Sequence, residues 1–205
     1  LSSRREYTKL NPFIVLLGKG DHQITSSFTD TDGDEIATTL RVTCGNILFL
    51  GKGKEITNIL GGFDVENLEN ITFKNMTVTN TSKYGCGIDM RNAKVELFDV
   101  ALKGCIGPAL CILDSTSVTT VVATRCEFAN STYGAFVEGS LVSATFNNCV
   151  FNDNSSDGIF VATKATIHLH EDDTAIHSNG KYGINVYSGK VIIHLPSHHN
   201  TSYNN

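Results

Sequence analysis

The sequence has no tryptophan, only 3 prolines and 2 methionines, and no long apolar run. A helix needs about 20 consecutive apolar residues to cross a bilayer, so we expect a soluble protein without a membrane span. Positive charge is also scarce, with 16 Lys and Arg against 21 Asp and Glu and a net charge of -5. A chain that binds phosphate backbones needs a basic surplus, so we expect no nucleic-acid partner.

Glycine is plentiful, with 18 residues, and Asn, Ser and Thr separate short β-branched and aromatic runs. Such a composition is typical of β structure. A length of 205 residues fits a single domain. The fold class predicted from composition is therefore all-β.

One phrase of the sequence recurs: a glycine preceded by polar residues and followed by alternating apolar residues. It is seen as YGCGIDM, IGPALCI, YGAFVEG, SDGIFVA and YGINVYS. The residues at the glycine position are Gly87, Ala109, Gly134, Gly158 and Gly183. An upstream apolar column has the same spacing and consists of Val78, Leu102, Phe128, Phe151 and Ile176. The repeat length is about 24 residues.

This repeat predicts a single-domain solenoid of parallel strands with about 24 residues per coil, in which equivalent residues stack inside the column. Cys126 should then lie against Cys149, and Phe128 against Phe151. The segments FIVLLGKGDHQIT and ILFLGKGKEIT should form the first coils. We expect an N-terminal tail or cap at 1–12, the solenoid at 13–195, and a polar C-terminal tail at 196–205.

The segments FIVLLGKGDHQIT and LENITFKNMTVTN, followed by the glycine phrase, resemble the right-handed parallel β-helix of the pectin-lyase-like superfamily. The resemblance covers almost the whole chain, and it implies either a polysaccharide lyase, hydrolase, esterase or epimerase, or a non-catalytic binding domain. The Asp-Pro-His, Asn-Thr-Asp and Gly-His-Gly phrases of those enzymes are absent. GIDMRN offers Asp89 and Arg91, but the next coil places Cys111 and Leu113 beside them rather than a second aspartate.

Histidines offer the best candidate for a binding site. In TIHLHEDD, the residues His168 and His170 should point outward, and His194 should stack over His168 one coil later. With Asp172 they form a set that could hold a transition ion, although outward histidines are commonly plain surface residues. We take His168, His170, Asp172 and His194 as candidate binding residues, and we predict no metal and no cofactor.

Cysteines and glycosylation signals give opposite indications of compartment. The six cysteines lack paired CxxC spacing, which favours reduced thiols and an intracellular protein. Six Asn-x-Ser/Thr signals favour a secreted protein, although turns rich in Asn and Ser create such signals by chance. They lie at Asn70, Asn75, Asn80, Asn130, Asn154 and Asn200.

Because catalytic motifs are missing, we favour a non-catalytic module that presents a binding or scaffold surface to a protein or glycan partner. Tyr84, Tyr133 and Tyr182 recur before the glycine phrase and could line up for stacking on sugars, or could simply pack the turns. The alternative is a lyase or epimerase with an unrecognised site that includes the histidines and His198. Open solenoid ends also allow end-to-end association, unless the terminal segments cap them.

Overall fold

The computed structural model describes residues 6–29, 33, 35–170, 174–194 and 202–205. It is a single-domain all-β solenoid of about 6 turns, with equivalent strands roughly 24 residues apart. Among the described residues there is no helix of any kind, and therefore none long and apolar enough to cross a membrane. The prediction of fold class is confirmed.

The strands form one sheet of 14 strands and another of 8. The first sheet contains β1 (Phe13–Leu16), β2 (Gly20–Gln23), β5 (Ile47–Leu50), β6 (Thr57–Leu60), β8 (Ile71–Thr79), β10 (Lys94–Lys103), β12 (Thr119–Thr124), β13 (Glu127–Ala129), β15 (Val142–Asn147), β16 (Val150–Asn152), β18 (Ala165–His170), β19 (Ala175–His177), β21 (Gly189–His194) and β22 (Ser202–Tyr203). The second contains β3 (Ser27–Thr29), β4 (Glu35–Val42), β7 (Gly62–Glu66), β9 (Ile88–Arg91), β11 (Leu110–Ile112), β14 (Ala135–Glu138), β17 (Ile159–Ala162) and β20 (Ile184–Val186).

Each turn of the solenoid contributes three strand segments, so the molecule has three outer faces. Face A carries the outward side chains of β1, β5, β12, β15, β18, β21 and the first halves of β8 and β10. Face B belongs to β2, β6, β13, β16, β19, β22 and the second halves of β8 and β10. Face C is the outside of the eight-stranded sheet.

The corner between faces A and B is made by residues in the left-handed conformation. Asn75, Asp99 and Asn148 have φ of 57°, 52° and 52° there, and Asn and Asp tolerate this region better than most residues. Arg125 occupies the same corner with φ 53°. A long side chain in this conformation is unusual and marks a position where function is worth seeking.

The core columns have the predicted register. Leu102 pairs with Val78 and Phe128, and Phe128 pairs in turn with Phe151. The rings of Phe128 and Phe151 stack with centroids 4.8 Å apart, and both side chains are fully buried. Cys126 and Cys149 are buried on adjacent turns, where the backbone N–H of Val150 donates to the Cys126 carbonyl at 2.9 Å. The first coils also form as expected, because β1 of FIVLLGKGDHQIT pairs in parallel with β5 of ILFLGKGKEIT.

The recurring glycine is explained by the spacing between turns. A Cβ at Gly158 would lie 2.6 Å from the carbonyl oxygen of Gly183, and one at Gly134 would lie 2.5 Å from the carbonyl oxygen of Gly158. Such contacts are shorter than normal packing allows, so a side chain would push the turns apart. Ala109 at the equivalent position shows that one turn does accommodate a methyl group.

A buried polar column follows the corner between faces B and C. Its buried members are Asn80, Cys105, Ser131, Asn154 and Asn179, and the exposed Asn205 ends the column. The Asn154 side-chain amide donates to Asn179 Oδ1 at 2.9 Å, and the Asn179 amide donates to Asn205 Oδ1 at 2.8 Å. Asn80 and Asn154 are each only 1% exposed, so these two glycosylation signals cannot carry a glycan in the folded protein.

Two features at the ends depart from prediction. Near the N-terminus β3 and β4 pair antiparallel, whereas we expected parallel coils throughout. At the other end the predicted polar tail supplies a strand, since Ser202–Tyr203 pairs with β19. Apolar side chains are exposed at both ends, among them Leu10, Leu16 and Tyr187.

Candidate functional site

A cleft lies at the corner of faces A and B and is here called the Phe98 cleft. On face A, Lys74, Phe98 and Thr124 line a cavity of about 300 Å³. On face B, Lys54, Arg125 and Asn148 line one of about 430 Å³. Arg125 separates the two cavities, with its guanidinium carbon 4.0 Å from the centre of the Phe98 ring.

A carboxylate fixes Arg125 in place. Nε and Nη2 of Arg125 donate to the two carboxylate oxygens of Asp99 at 2.9 and 2.7 Å, which is a bidentate pair. This hydrogen bond lowers the pKa of Asp99 against the smaller effect of its burial. The pair stiffens the side chain of Arg125, which leaves the guanidinium oriented over Phe98.

In the cleft, more lysine side chains than carboxylate side chains are without an ion-pair partner among the described residues. Glu96 pairs with Lys9 at 3.4 Å, and Glu127 pairs with Lys103 at 3.7 Å. Within the described part of the chain, Lys54 and Lys74 have no carboxylate within ion-pair distance; Lys54 donates to the Arg125 carbonyl at 3.2 Å. An anionic ligand would therefore meet a locally positive surface on an acidic protein.

The predicted histidine site lies on the same face A, beyond Thr124 and Asn147. In β18 the residues Ala165, Ile167 and Leu169 are buried, so His168 and His170 point outward as expected. The register of His194 is a correction: it pairs with His170, and Ile192 is the residue level with His168. His194 still contacts both rings.

Nitrogen atoms from the three imidazoles lie within 4.8 Å of one another. His168 Nδ1 is 3.1 Å from His194 Nε2, and the rings of His170 and His194 stack with centroids 4.1 Å apart. Burial, and then the neighbouring histidines, lower the pKa of His168. Asp172, the fourth predicted binding residue, lies outside the described residues, as does His198.

Face C carries a third cluster, which sequence reasoning found only in part. Asp89 pairs with Cys111 as expected, but on its other side it pairs with Asp64. One ligating atom each from Cys86, Asp89 and Cys111 lies within 4.8 Å of the others. A hydrogen bond with Cys86, together with burial, raises the pKa of the Cys111 thiol.

Burial, followed by the charge of Asp64, raises the pKa of Asp89 to about 6. Arg41 lies on the far side of Asp64, where its Nε donates to Asp64 at 2.8 Å. The two aspartates thus differ in environment, because one is compensated by a guanidinium and the other is desolvated against sulfur atoms.

The raised pKa of Asp89 leads to a definite prediction of how stability depends on pH. Its folded pKa lies above the unfolded value of 3.8, so the native state loses stability as the pH rises from about 4 to about 6 and carries a constant penalty above that. Asp89→Asn should remove this penalty and raise the free energy of unfolding at pH 7.5 by about 1–2 kcal/mol. Urea unfolding between pH 3.5 and 8 measures it.

Asp153→Asn is the matched control, because Asp153 is an exposed turn residue. This variant should follow the wild-type pH profile. The samples are treated with a chelator, because a bound metal would stabilise the folded state and mask the effect. A profile for Asp89→Asn that retains the wild-type decline between pH 4 and 6 would show that another group causes it.

The three recurring tyrosines differ in their surroundings. Tyr133 packs against Phe136 and Phe160 with centroids 5.6 and 5.9 Å away, which is turn and face packing. Tyr84 and Tyr182 are 70% and 59% exposed.

Sequence reasoning also missed the Phe98 cleft, whose only local signal is the run FDVALK together with TRCEF one coil later.

Comparison with known proteins identifies the architecture. Residues 14–174 match the family described as right handed beta helix region. The solved structure of ORF18 from Geobacillus virus E2 superimposes with a TM-score of 0.56 at 13% identity, over 76% of this chain and 33% of that one. A pectin methylesterase mutant in complex with a hexasaccharide gives 0.54 at 11% identity, over 87% and 63%.

The chain thus spans one third of the viral protein and less than two thirds of the esterase. No curated protein matches the sequence. At these identities the two structures establish a shared fold.

Proposed function

The chain belongs to the right-handed β-helix family, and we propose that it is a non-catalytic module that binds an acidic polysaccharide along face A. The observation that carries this is the Phe98 cleft. Among the described residues, Lys54 and Lys74 line its two cavities without a carboxylate partner, whereas Arg125 is paired with Asp99. A uronate polymer supplies the complementary charge together with many hydroxyl groups.

Face A continues from the cleft as a file of hydrogen-bonding side chains. Thr124 pairs with Asn147, Asn147 with His170, and His170 with His194, one residue for each turn of the solenoid. Successive turns rise by about 4.8 Å, so the file offers hydroxyl, amide and imidazole groups at regular intervals. A linear polymer can follow such a file, and we assign His168, His170 and His194 to its far end.

A glycan is favoured over a protein partner by the polarity of the cleft. Protein interfaces place an apolar core at the centre with a polar rim, whereas here charged and polar groups occupy the centre. The related fold of the esterase structure, which holds a hexasaccharide, agrees in ligand class.

The carboxylates of the cleft are poorly suited to act as a general acid or base. Asp99 is held by Arg125 and has a lowered pKa, which makes it a weak base. Glu96 and Glu127 are each paired with a lysine. Among the residues that the structure describes, the carboxyl with a raised pKa is Asp89, which lies on face C, away from the cleft.

Affinity electrophoresis through gels containing polygalacturonate tests the site. Wild-type protein should be retarded, and added salt should weaken the effect. A double variant, Lys54→Ala with Lys74→Ala, should bind roughly fivefold to tenfold more weakly, because each partly exposed charge contributes up to about 1 kcal/mol. The matched control replaces Lys164 and Lys181, which are exposed in turns outside the cleft.

Equal retardation of the double variant and the wild type would place the binding site elsewhere. Incubation with the same polymer should release no reducing ends and no unsaturated products. Products that are lost in the double variant would show that the cleft is catalytic and would overturn the non-catalytic part of the proposal.

A further inference from the structure

Three imidazoles on two adjacent strands of face A lie closer together than surface packing requires. His168 and His170 are two residues apart on β18, and His194 is the neighbour of His170 on β21. The three rings are nearly parallel, with interplanar angles of 3° to 16°. The three imidazoles are therefore in mutual contact on one patch of face A.

We propose that His168, His170 and His194 form a three-histidine site for a divalent transition ion of the zinc class, with its remaining coordination position open to solvent. One nitrogen from each ring already lies within 4.8 Å of the others. Zinc–nitrogen bonds of about 2.0–2.1 Å place the nitrogens of a tetrahedral site about 3.4 Å apart. His168 Nδ1 and His194 Nε2 are joined by a hydrogen bond of 3.1 Å, so these nitrogens already lie near the spacing of two ligands, and an ion would replace the shared hydrogen.

The strands hold the three histidines next to one another before an ion binds. Alternation along β18 fixes two imidazoles on one side, and the backbone pairing of Leu169 with Ile193 and of His170 with His194 fixes the level of the third. The rings are stacked on one another, so ion binding requires the side chains to rotate out of the stack, and all three are partly or fully accessible and can do so. Binding costs little backbone rearrangement as a result.

The imidazole nitrogens determine which metal ions suit the site. Nitrogen ligands suit zinc, copper, nickel and cobalt, whereas calcium and magnesium prefer oxygen ligands. The groups on neighbouring strands that face the cluster are Lys190 on β21 and Thr145 and Asn147 on β15. Lys190 opposes a cation, so we expect an exchangeable ion rather than a permanently held structural one.

This inference does not depend on polysaccharide binding, since it can be tested with metal alone. Calorimetric titration of chelator-treated wild-type protein with Zn²⁺ should show one ion per chain at the histidine cluster. Loss of even an outer-shell partner weakens metal binding by about 10–100-fold, so His194→Ala and His168→Ala should each lose at least about tenfold. The Lys54→Ala and Lys74→Ala variant should bind Zn²⁺ like the wild type.

His177→Ala is the matched control, because His177 is also a partly exposed strand histidine but stacks on Tyr203 away from the cluster. It should bind Zn²⁺ like the wild type. Circular dichroism of each variant checks that it remains folded.

The Cys86, Asp89 and Cys111 cluster is the competing site, and Co²⁺ distinguishes the two. Cobalt bound by histidines gives visible ligand-field bands without the intense near-ultraviolet charge-transfer band that thiolates produce. The proposal is wrong if wild-type protein binds no Zn²⁺, if His194→Ala binds it unchanged, or if the thiolate band appears and Cys86→Ser abolishes it.

Discussion

Phe151→Ala is expected to lower the free energy of unfolding by about 3–5 kcal/mol. Phe151 is fully buried in the middle of the solenoid, where it stacks on Phe128 and meets Phe146 edge-on with centroids 5.0 Å apart. The truncation removes apolar burial and leaves a cavity that the flanking turns cannot close, since their backbone spacing is fixed by hydrogen bonds. Urea unfolding followed by circular dichroism measures the loss.

Phe160→Ala is an unusually close control. Phe160 stacks on Phe136 of the preceding turn with centroids 5.0 Å apart and an angle of 13°, nearly the geometry of the Phe128 and Phe151 pair. It differs in lying on face C with its side chain partly exposed. We expect a loss of about 1 kcal/mol or less from an outer aromatic pair. Equal losses in the two variants would mean that the interior column does not dominate stability.

The parts of the fold that sequence predicts well are those where the interior enforces a repeat. Phe128 and Phe151 stack because every turn must fill the same cross-section, so their spacing is visible in the sequence. Outer faces carry no such constraint. Asp64 therefore escaped notice as the partner of Asp89, even though the two lie one turn apart.

The error in the register of His194 has a simple origin. Alternation along a strand has a period of two residues, so a shift of two leaves every inward and outward assignment unchanged. Pairing His194 with His168 satisfies the same pattern as the actual pairing with His170. Only the length of the intervening turns, which varies between coils, separates the two registers.

The Phe98 cleft was missed for a different reason. Lys54 reaches the carbonyl of Arg125, 71 positions away, from a loop that the repeat does not include. Local sequence contains no signal for such a contact. The left-handed conformation of Arg125 likewise becomes evident only in the structure, since Asn or Asp fills this corner in other turns.

The buried asparagines were interpreted as turn residues, but their side chains do more than allow a tight bend. An amide has both a donor and an acceptor, so it can bond to the turn above and the turn below at once. Asn154 accepts from the backbone N–H of Ser131 and donates to Asn179 Oδ1 and to the Phe128 carbonyl. The bond to Ser131 satisfies a buried backbone N–H that lies outside the strands, and the bond to the Phe128 carbonyl ties the corner to β13.

Asn154→Ala should lower the free energy of unfolding by about 2–4 kcal/mol, because it leaves the Ser131 N–H without its partner in a buried corner and removes the bonds to Phe128 and Asn179. Asn58→Ala is the control: Asn58 also bonds to the adjacent turn, donating to Asp21 at 2.8 Å, but from a partly exposed position. Its loss should stay within about 1 kcal/mol, since water replaces the missing bond. Urea unfolding of both variants measures the difference, and an Asn154→Ala variant as stable as the control would mean that the buried amides position the corner without stabilising it.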